Sequence, residues 1–221
     1  MLRIRAAGAD GVEFWEPHVR CADPQRLSRE LAGLPVAMVS GYYDFTGSLD
    51  AATASLAHAH AVLARSAAIG GCGIRIFTGK KRGGDAEAEI WDRAVGMLQE
   101  LCEAAGPQVL AAELHDWNLM DTEANALRLV QAVDRPNFGL ILHPERLVDD
   151  LAGGIARLAP WIRHVHVRTT PEGAPDPAVA WDVVVASLAH AGFAGWWSVE
   201  HFAPDPDRCV PSAIAALRCM A

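Results

Sequence analysis

The sequence holds no run of about 18 apolar residues free of charged or polar breaks, so no membrane-spanning helix is expected. No apolar stretch follows the opening Met-Leu-Arg-Ile-Arg, so no secretory leader is expected either. Positive charge is scarce: 19 Lys and Arg stand against 27 Asp and Glu, a net charge of −8. That balance argues against broad contact with nucleic acid, which needs basic surface to displace counterions. The one compact basic run, Lys80, Lys81 and Arg82, reads as a solvated loop after a strand. The five cysteines include no Cys-x-x-Cys pair, which removes zinc-finger spacing. They suit thiols used as small apolar residues in a reducing, cytoplasmic protein. No Gly-x-Gly-x-x-Gly follows the first β-like run, which weighs against a doubly wound sheet. Low-complexity tracts and linkers are lacking too, so one domain over residues 1–221 is expected.

What is present is an apolar fraction of 51% with 21% charged residues, enough to bury a core and to exclude disorder. Short β-rich runs alternate with longer Ala/Leu-rich helical runs. The β-type runs are 11–16, 35–42, 72–79, 108–116, 138–143, 162–170 and 196–202. Helical runs fall near 25–31, 49–69, 86–105, 122–133, 145–158, 178–191 and 207–220, with a short helical piece at 2–7. Asp176-Pro177 and Asp205-Pro206 place a capping acid before a first-turn proline, and Gly192 follows a helix end. Seven βα units imply parallel strands in a TIM-type (β/α) barrel, one strand short of eight, with the first strand apparently missing. The two strands beside the gap would carry bare edges. The N-terminal segment or a second subunit, as in a homodimer, is expected to cover them.

In such a barrel the chemistry sits at the C-terminal ends of the strands, and residues two apart share a strand face. Applied to the last four strands, this places Ala111, Glu113 and His115, then Ile141 and His143, on the inside. His164, His166 and Arg168, then Ser198 and Glu200, follow on the last two. One carboxylate or imidazole per strand therefore points inward near the top: Glu113, His143, His166 and Glu200, spaced 30, 23 and 34 residues apart. Adjacent strands lie about 4.8 Å apart, so the four ends can converge on one ion. Two imidazoles and two carboxylates suit Zn, Mn, Fe or Co better than Ca. Two buried glutamates without partners would cost several kcal/mol, which packing alone does not explain. By the same alternation His164 reads as structural and His201 as outward. Glu13 reads as a buried partner of Arg75, and Trp15, Trp91 and Trp181 as packing residues.

Six motifs carry a family resemblance: Gly-Val-Glu-Phe at 11–14, Ile-Arg-Ile-Phe-Thr-Gly at 74–79, Glu-Leu-His at 113–115, Arg-Pro-Asn-Phe-Gly-Leu at 135–140, His-Val-His-Val-Arg at 164–168 and Gly-Phe-Ala-Gly-Trp-Trp-Ser-Val-Glu at 192–200. With these, the chain resembles the sugar-phosphate isomerase/epimerase family with the xylose-isomerase-like barrel, over nearly its whole length. The resemblance implies a divalent metal, Zn, Mn or Co rather than Mg, held by Glu113, His143, His166 and Glu200. His143 stands where the family usually has Asp, and Arg146 where it usually has His, in the turn His143-Pro144-Glu145-Arg146. The implied chemistry is proton transfer beside a carbonyl through an enediolate, with Glu113 and Glu200 taking and returning the proton. His115, Arg146, Arg168 and His18 are the expected substrate-binding residues, for a small carbohydrate or keto-acid. Two other readings stand beside it: a dehydratase using the same enolate, and a barrel that binds a ligand or partner without catalysis. A metal-dependent endonuclease is disfavoured by the acidic charge and the shortage of further ligands.

Overall fold

A computed structural model describes residues 2–147, 149–200 and 205–220. The seven β-like runs become seven strands: β1 (Val12–Trp15), β2 (Val36–Ser40), β3 (Gly73–Ile76), β4 (Val109–Glu113), β5 (Phe138–Leu142), β6 (Ile162–Arg168) and β7 (Trp196–Glu200). All neighbours pair in parallel, in the order β1-β2-β3-β4-β5-β6-β7, as a nearly closed barrel. The helices are α1 (Leu2–Ala6), α2 (Glu16–Arg20), α3 (Pro24–Leu31), α4 (Leu49–Ala68), α5 (Ala88–Ala105), α6 (Glu123–Val133), α7 (Leu151–Leu158), α8 (Trp181–His190) and α9 (Pro206–Met220). Asp23, Ser48, Thr122 and Asp150 accept backbone N–H bonds at the starts of α3, α4, α6 and α7, satisfying donors that a helix leaves unpaired.

Three local expectations change. Helix α2 follows β1 directly, because Pro17 sits in its first turn, where a missing N–H costs nothing. Helix α8 starts at Trp181, later than the Asp176-Pro177 pair suggests: Asp176 instead closes a turn by accepting from the Ala178 N–H at 2.9 Å. Of the cysteines, Cys102 and Cys209 are buried as small apolar groups, but Cys21, Cys72 and Cys219 are exposed. His201 and Phe202, assigned to the last strand from sequence, lie outside the described residues.

The packing explains the alternating pattern. Leu110, Leu140, Leu142, Val165 and Val167 join the large core shared with the helices, among them Leu98, Leu129 and Leu158. Met38, Ala111 and Ile141 form a separate small cluster inside the barrel. Glu113 is two residues beyond Ala111 on the same strand face, so this apolar floor gives way to polar side chains toward the strand ends. Gly73 permits a close approach of β3 to β4: a Cβ there would meet the Val109 carbonyl oxygen at 2.0 Å.

Among the described residues no ladder joins β1 to β7, and the seam holds a cavity of about 470 Å³. Its walls include Ile4, Val12, Glu13, Trp196, Ser198 and Ile214. The N-terminal segment and α9 line it together. Arg218 of α9 donates to the Gly8 carbonyl (2.7 Å) and to Asp10 (2.8 and 2.9 Å), and Arg3 donates to Asp207 (2.8 Å). Trp196 reaches across, so that a Cβ on Gly11 would stand 2.8 Å from its ring. Among the described residues, no helix is long and apolar enough to cross a membrane.

Candidate metal centre

The strand ends of β1, β4, β5 and β6 meet in one buried polar layer. Glu113 closes β4, His143 follows β5, and His164 and His166 share the inner face of β6. Relative exposure is 3% for Glu113, 1% for His143 and 3% for His166, so water reaches none of them freely. His143 Nε2 lies 3.1 Å from Glu113 Oε1 and 2.9 Å from His166 Nδ1. On its other side, His143 Nδ1 meets Glu145 Oε1 at 3.0 Å. His166 Nε2 faces both oxygens of Glu13 at 3.2 Å. His164 Nε2 lies 3.0 Å from Glu13 Oε2 and 2.8 Å from Ser198 Oγ, and Ser40 donates to Glu13.

These contacts fix the charges. Burial works against a charged His143, but hydrogen bonds to Glu113 and Glu145 outweigh it and raise its pKa to about 9. Burial likewise favours a neutral Glu113, yet His143 and Arg75 bring it down to about 2. Glu13 is also held well below the usual carboxylate range: the imidazoles of His164 and His166 overcome its desolvation. Desolvation dominates at His164 and lowers its pKa. A protonated His143 donates from both nitrogens, so His166 accepts at Nδ1 and donates from Nε2 to Glu13.

Arg75 corrects one expectation: its partner is Glu113 (NH1 to Oε2, 2.7 Å), not Glu13. Its guanidinium also reaches the Gly41 carbonyl (3.3 Å) and lies 4.5 Å from the Tyr42 ring centroid. His164, read from sequence as structural, is buried and bonds Glu13 directly. Trp15 is 49% exposed and stacks edge-on against His18 at 5.3 Å, so it does not fill core space. Trp91 and Trp181 are buried as expected, at 2% and 5%.

Among the expected ligands, Glu113, His143 and His166 come together, with their donor atoms within 4.8 Å of one another. Glu200 stands apart from this triad and faces Arg168, its register partner across β6 and β7, with Oε2 3.5 Å from Arg168 Nε. Arg168 Nε is also 3.4 Å from Glu145 Oε1. Arg146 pairs with Asp116 at 2.5 Å. His115 sits edge-on to Phe77 at 5.1 Å, with burial lowering its pKa. His18 is exposed on α2. Four buried polar atoms here make no hydrogen bond among the described residues: Glu145 Oε2, Arg146 Nε, Arg168 Nε and Glu200 Oε2.

The donor set fits a divalent ion. Tetrahedral zinc bound at 2.0–2.1 Å separates its ligand atoms by about 3.3 Å. The separations of 2.9 and 3.1 Å from His143 Nε2 fall a few tenths of an ångström short of that value, so an ion would spread these atoms slightly and displace the His143 Nε2 proton, as ligation of an imidazole requires. Glu13 and Glu145 are the residues that sequence alone undervalues here. The signal for Glu13 was available, because it points inward from β1 and needs a buried partner. That for Glu145 was not, because the turn after β5 sets its direction.

The family model described as xylose isomerase-like TIM barrel matches residues 2–219. No curated protein matches the chain. Among solved structures, the chain is similar to the probable 3-DHS dehydratase AsbF of Bacillus anthracis, at 20% identity and a TM-score of 0.84, covering 98% of this chain and 91% of that one. It is similar to D-allulose 3-epimerase from Methylomonas sp. in complex with D-allulose, at 18% identity and 0.85, covering 100% and 89%. It is similar also to the IolI protein with a binding zinc atom, at 17% identity and 0.76, covering 99% and 89%. Motifs, barrel and family model agree over the same length, and the chain belongs to the xylose isomerase-like TIM barrel family.

Proposed function

We propose that the protein is a divalent-metal-dependent isomerase or epimerase of a small sugar, sugar phosphate or related keto-acid, working by proton transfer beside a carbonyl. The observation that carries this reading is the buried triad Glu113, His143 and His166, with its ligand atoms within 4.8 Å of one another. The triad would hold the ion, with Zn, Mn or Co suited to its nitrogen-rich donors. When bound, such an ion polarises a carbonyl oxygen and stabilises negative charge developing on it.

The chain's own groups supply the rest. Glu113 is ionised and buried, which suits it to hold an ion or take a proton. Glu200 is the second proton-transfer group, and its Oε2 has no hydrogen bond among the described residues. Arg168 screens it now at 3.5 Å. Once Arg168 turns to a substrate hydroxyl or phosphate, Glu200 is free to act as base and as fourth ligand. Arg146 and His115 flank the same end and grip the remaining substrate oxygens, with His18 at the rim. The D-allulose 3-epimerase neighbour, which binds D-allulose, supports a carbohydrate substrate.

The test is exchange at the α-carbon. Metal-loaded protein is incubated in D2O with a panel of ketoses, ketose phosphates and hydroxy-keto acids. Deuterium should enter at the carbon beside the carbonyl, and Glu200→Gln should slow it at least 100-fold. No exchange with any of them, or exchange unaffected by Glu200→Gln, overturns the mechanism; loss of water from the substrate redirects it to a dehydratase.

A further inference from the structure

Glu13, His164 and His166 form a second set of three ligand atoms within 4.8 Å of one another, and it shares His166 with the first. The two sets use different nitrogens of that ring. Nδ1 faces His143, and Nε2 faces Glu13. In the second set Glu13 Oε2 stands 3.0 Å from His164 Nε2 and 3.2 Å from His166 Nε2, again near the spacing of about 3.3 Å around tetrahedral zinc. Two imidazoles and one carboxylate are a zinc-type donor set. Ser198 Oγ, at 2.8 Å from His164 Nε2, provides a further oxygen. Glu13 and Ser198 also line the seam cavity of about 470 Å³, so this set borders a space large enough to admit an ion with its water.

We propose that Glu13, His164 and His166 are a second divalent-cation site, opening on the seam and exclusive with the first. Exclusivity follows from the ring. A neutral imidazole has one lone pair and one N–H, so His166 ligates through Nδ1 or through Nε2, not both. With an ion on the Glu113 side, His143 releases its Nε2 proton to solvent, and His166 keeps its own proton on Nε2 and donates it to Glu13, whose carboxylate then positions the ring. With an ion on the Glu13 side, the Nε2 proton of His166 leaves to solvent, the Nε2 proton of His143 passes to His166 Nδ1, and the now neutral His143 accepts it back as a hydrogen bond. The protein therefore holds one ion in either of two places linked by a tautomer change. This inference shares a residue with the proposed catalytic triad but does not require that triad to be catalytic.

The test is Co²⁺ binding, read by equilibrium dialysis with metal analysis and by the visible d–d spectrum. The protein should bind one equivalent. Glu113→Gln/His143→Asn should still bind one, through the seam site. Glu13→Gln/His164→Asn should also bind one, with a different spectrum, and His166→Asn should weaken binding at least 100-fold. If the Glu113/His143 variant binds none while the Glu13/His164 variant binds as the unaltered protein does, the seam site is overturned and the catalytic triad stands. If only the Glu113/His143 variant retains the ion, the catalytic triad fails and the seam site stands. Two equivalents in the unaltered protein overturn exclusivity. Should a double variant lose its cooperative melt by circular dichroism, His143→Gln and His164→Gln, which each keep a hydrogen-bonding side chain, put the same question.

Discussion

Removing the Arg75 guanidinium tests whether the polar layer inside the barrel is held by charge pairing. Arg75 and Glu113 are 5% and 3% exposed and meet at 2.7 Å, so each shields a charge that water cannot reach. Deleting one partner of a buried pair costs about 3–5 kcal/mol, mainly because the other charge is left uncompensated. Arg75→Met keeps most of the volume, and Glu113 retains His143 at 3.1 Å, so the lower end applies, about 3 kcal/mol. For a chain of this size that is a fall in melting temperature of roughly 6–12 °C. The assay is urea unfolding of metal-free protein, followed by circular dichroism. Arg75→Met/Glu113→Gln, which removes both charges, should recover at least about 1 kcal/mol relative to the sum of the single losses, as expected for residues in contact. A single-variant loss under about 1 kcal/mol, or strict additivity in the double variant, would refute the reasoning.

Gly73→Ala should destabilise the protein by about 3 kcal/mol or more, the top of the range for overpacking, because its Cβ would meet backbone rather than a movable side chain; an unfolding midpoint like that of the unaltered protein would contradict the strand spacing. Glu16, buried at the start of α2, is bonded by Arg20 at 2.6 and 2.7 Å, and these bonds hold its pKa below 4.5. A depressed acid contributes stability above its unfolded pKa and loses it as pH falls through its folded one. Glu16→Gln should therefore lower stability at pH 7 and flatten the acid limb below pH 4.5, seen in melts from pH 3 to 7; an unchanged limb counts against the pairing.

The sequence made the barrel readable because each β-like run alternates with a helical one. The inward side chains also obey a period of two, which Ala111 and Glu113 on β4 illustrate. Glu113, His143 and His166 were legible for the same reason. Contacts between distant strands were not. Nothing local distinguishes Glu113 from Glu13 as the partner of Arg75, since both are inward acids on strands; the choice depends on which side chains share a level across the barrel. Glu200 shows the same limit. Its strand face is clear from alternation, but its pairing with Arg168 arises from the β6–β7 register, which sets Arg168 opposite Glu200. Trp15 looked like a core residue by composition, yet β1 ends there and α2 begins at once, leaving the ring exposed beside His18.

The most direct measurement is anomalous X-ray diffraction from crystals grown with Zn²⁺. The account predicts an ion bonded to Glu113, to His143 Nε2 and to His166 Nδ1. No ion at Glu113 and His143 at saturating Zn²⁺, whether or not the seam site is filled, would contradict it.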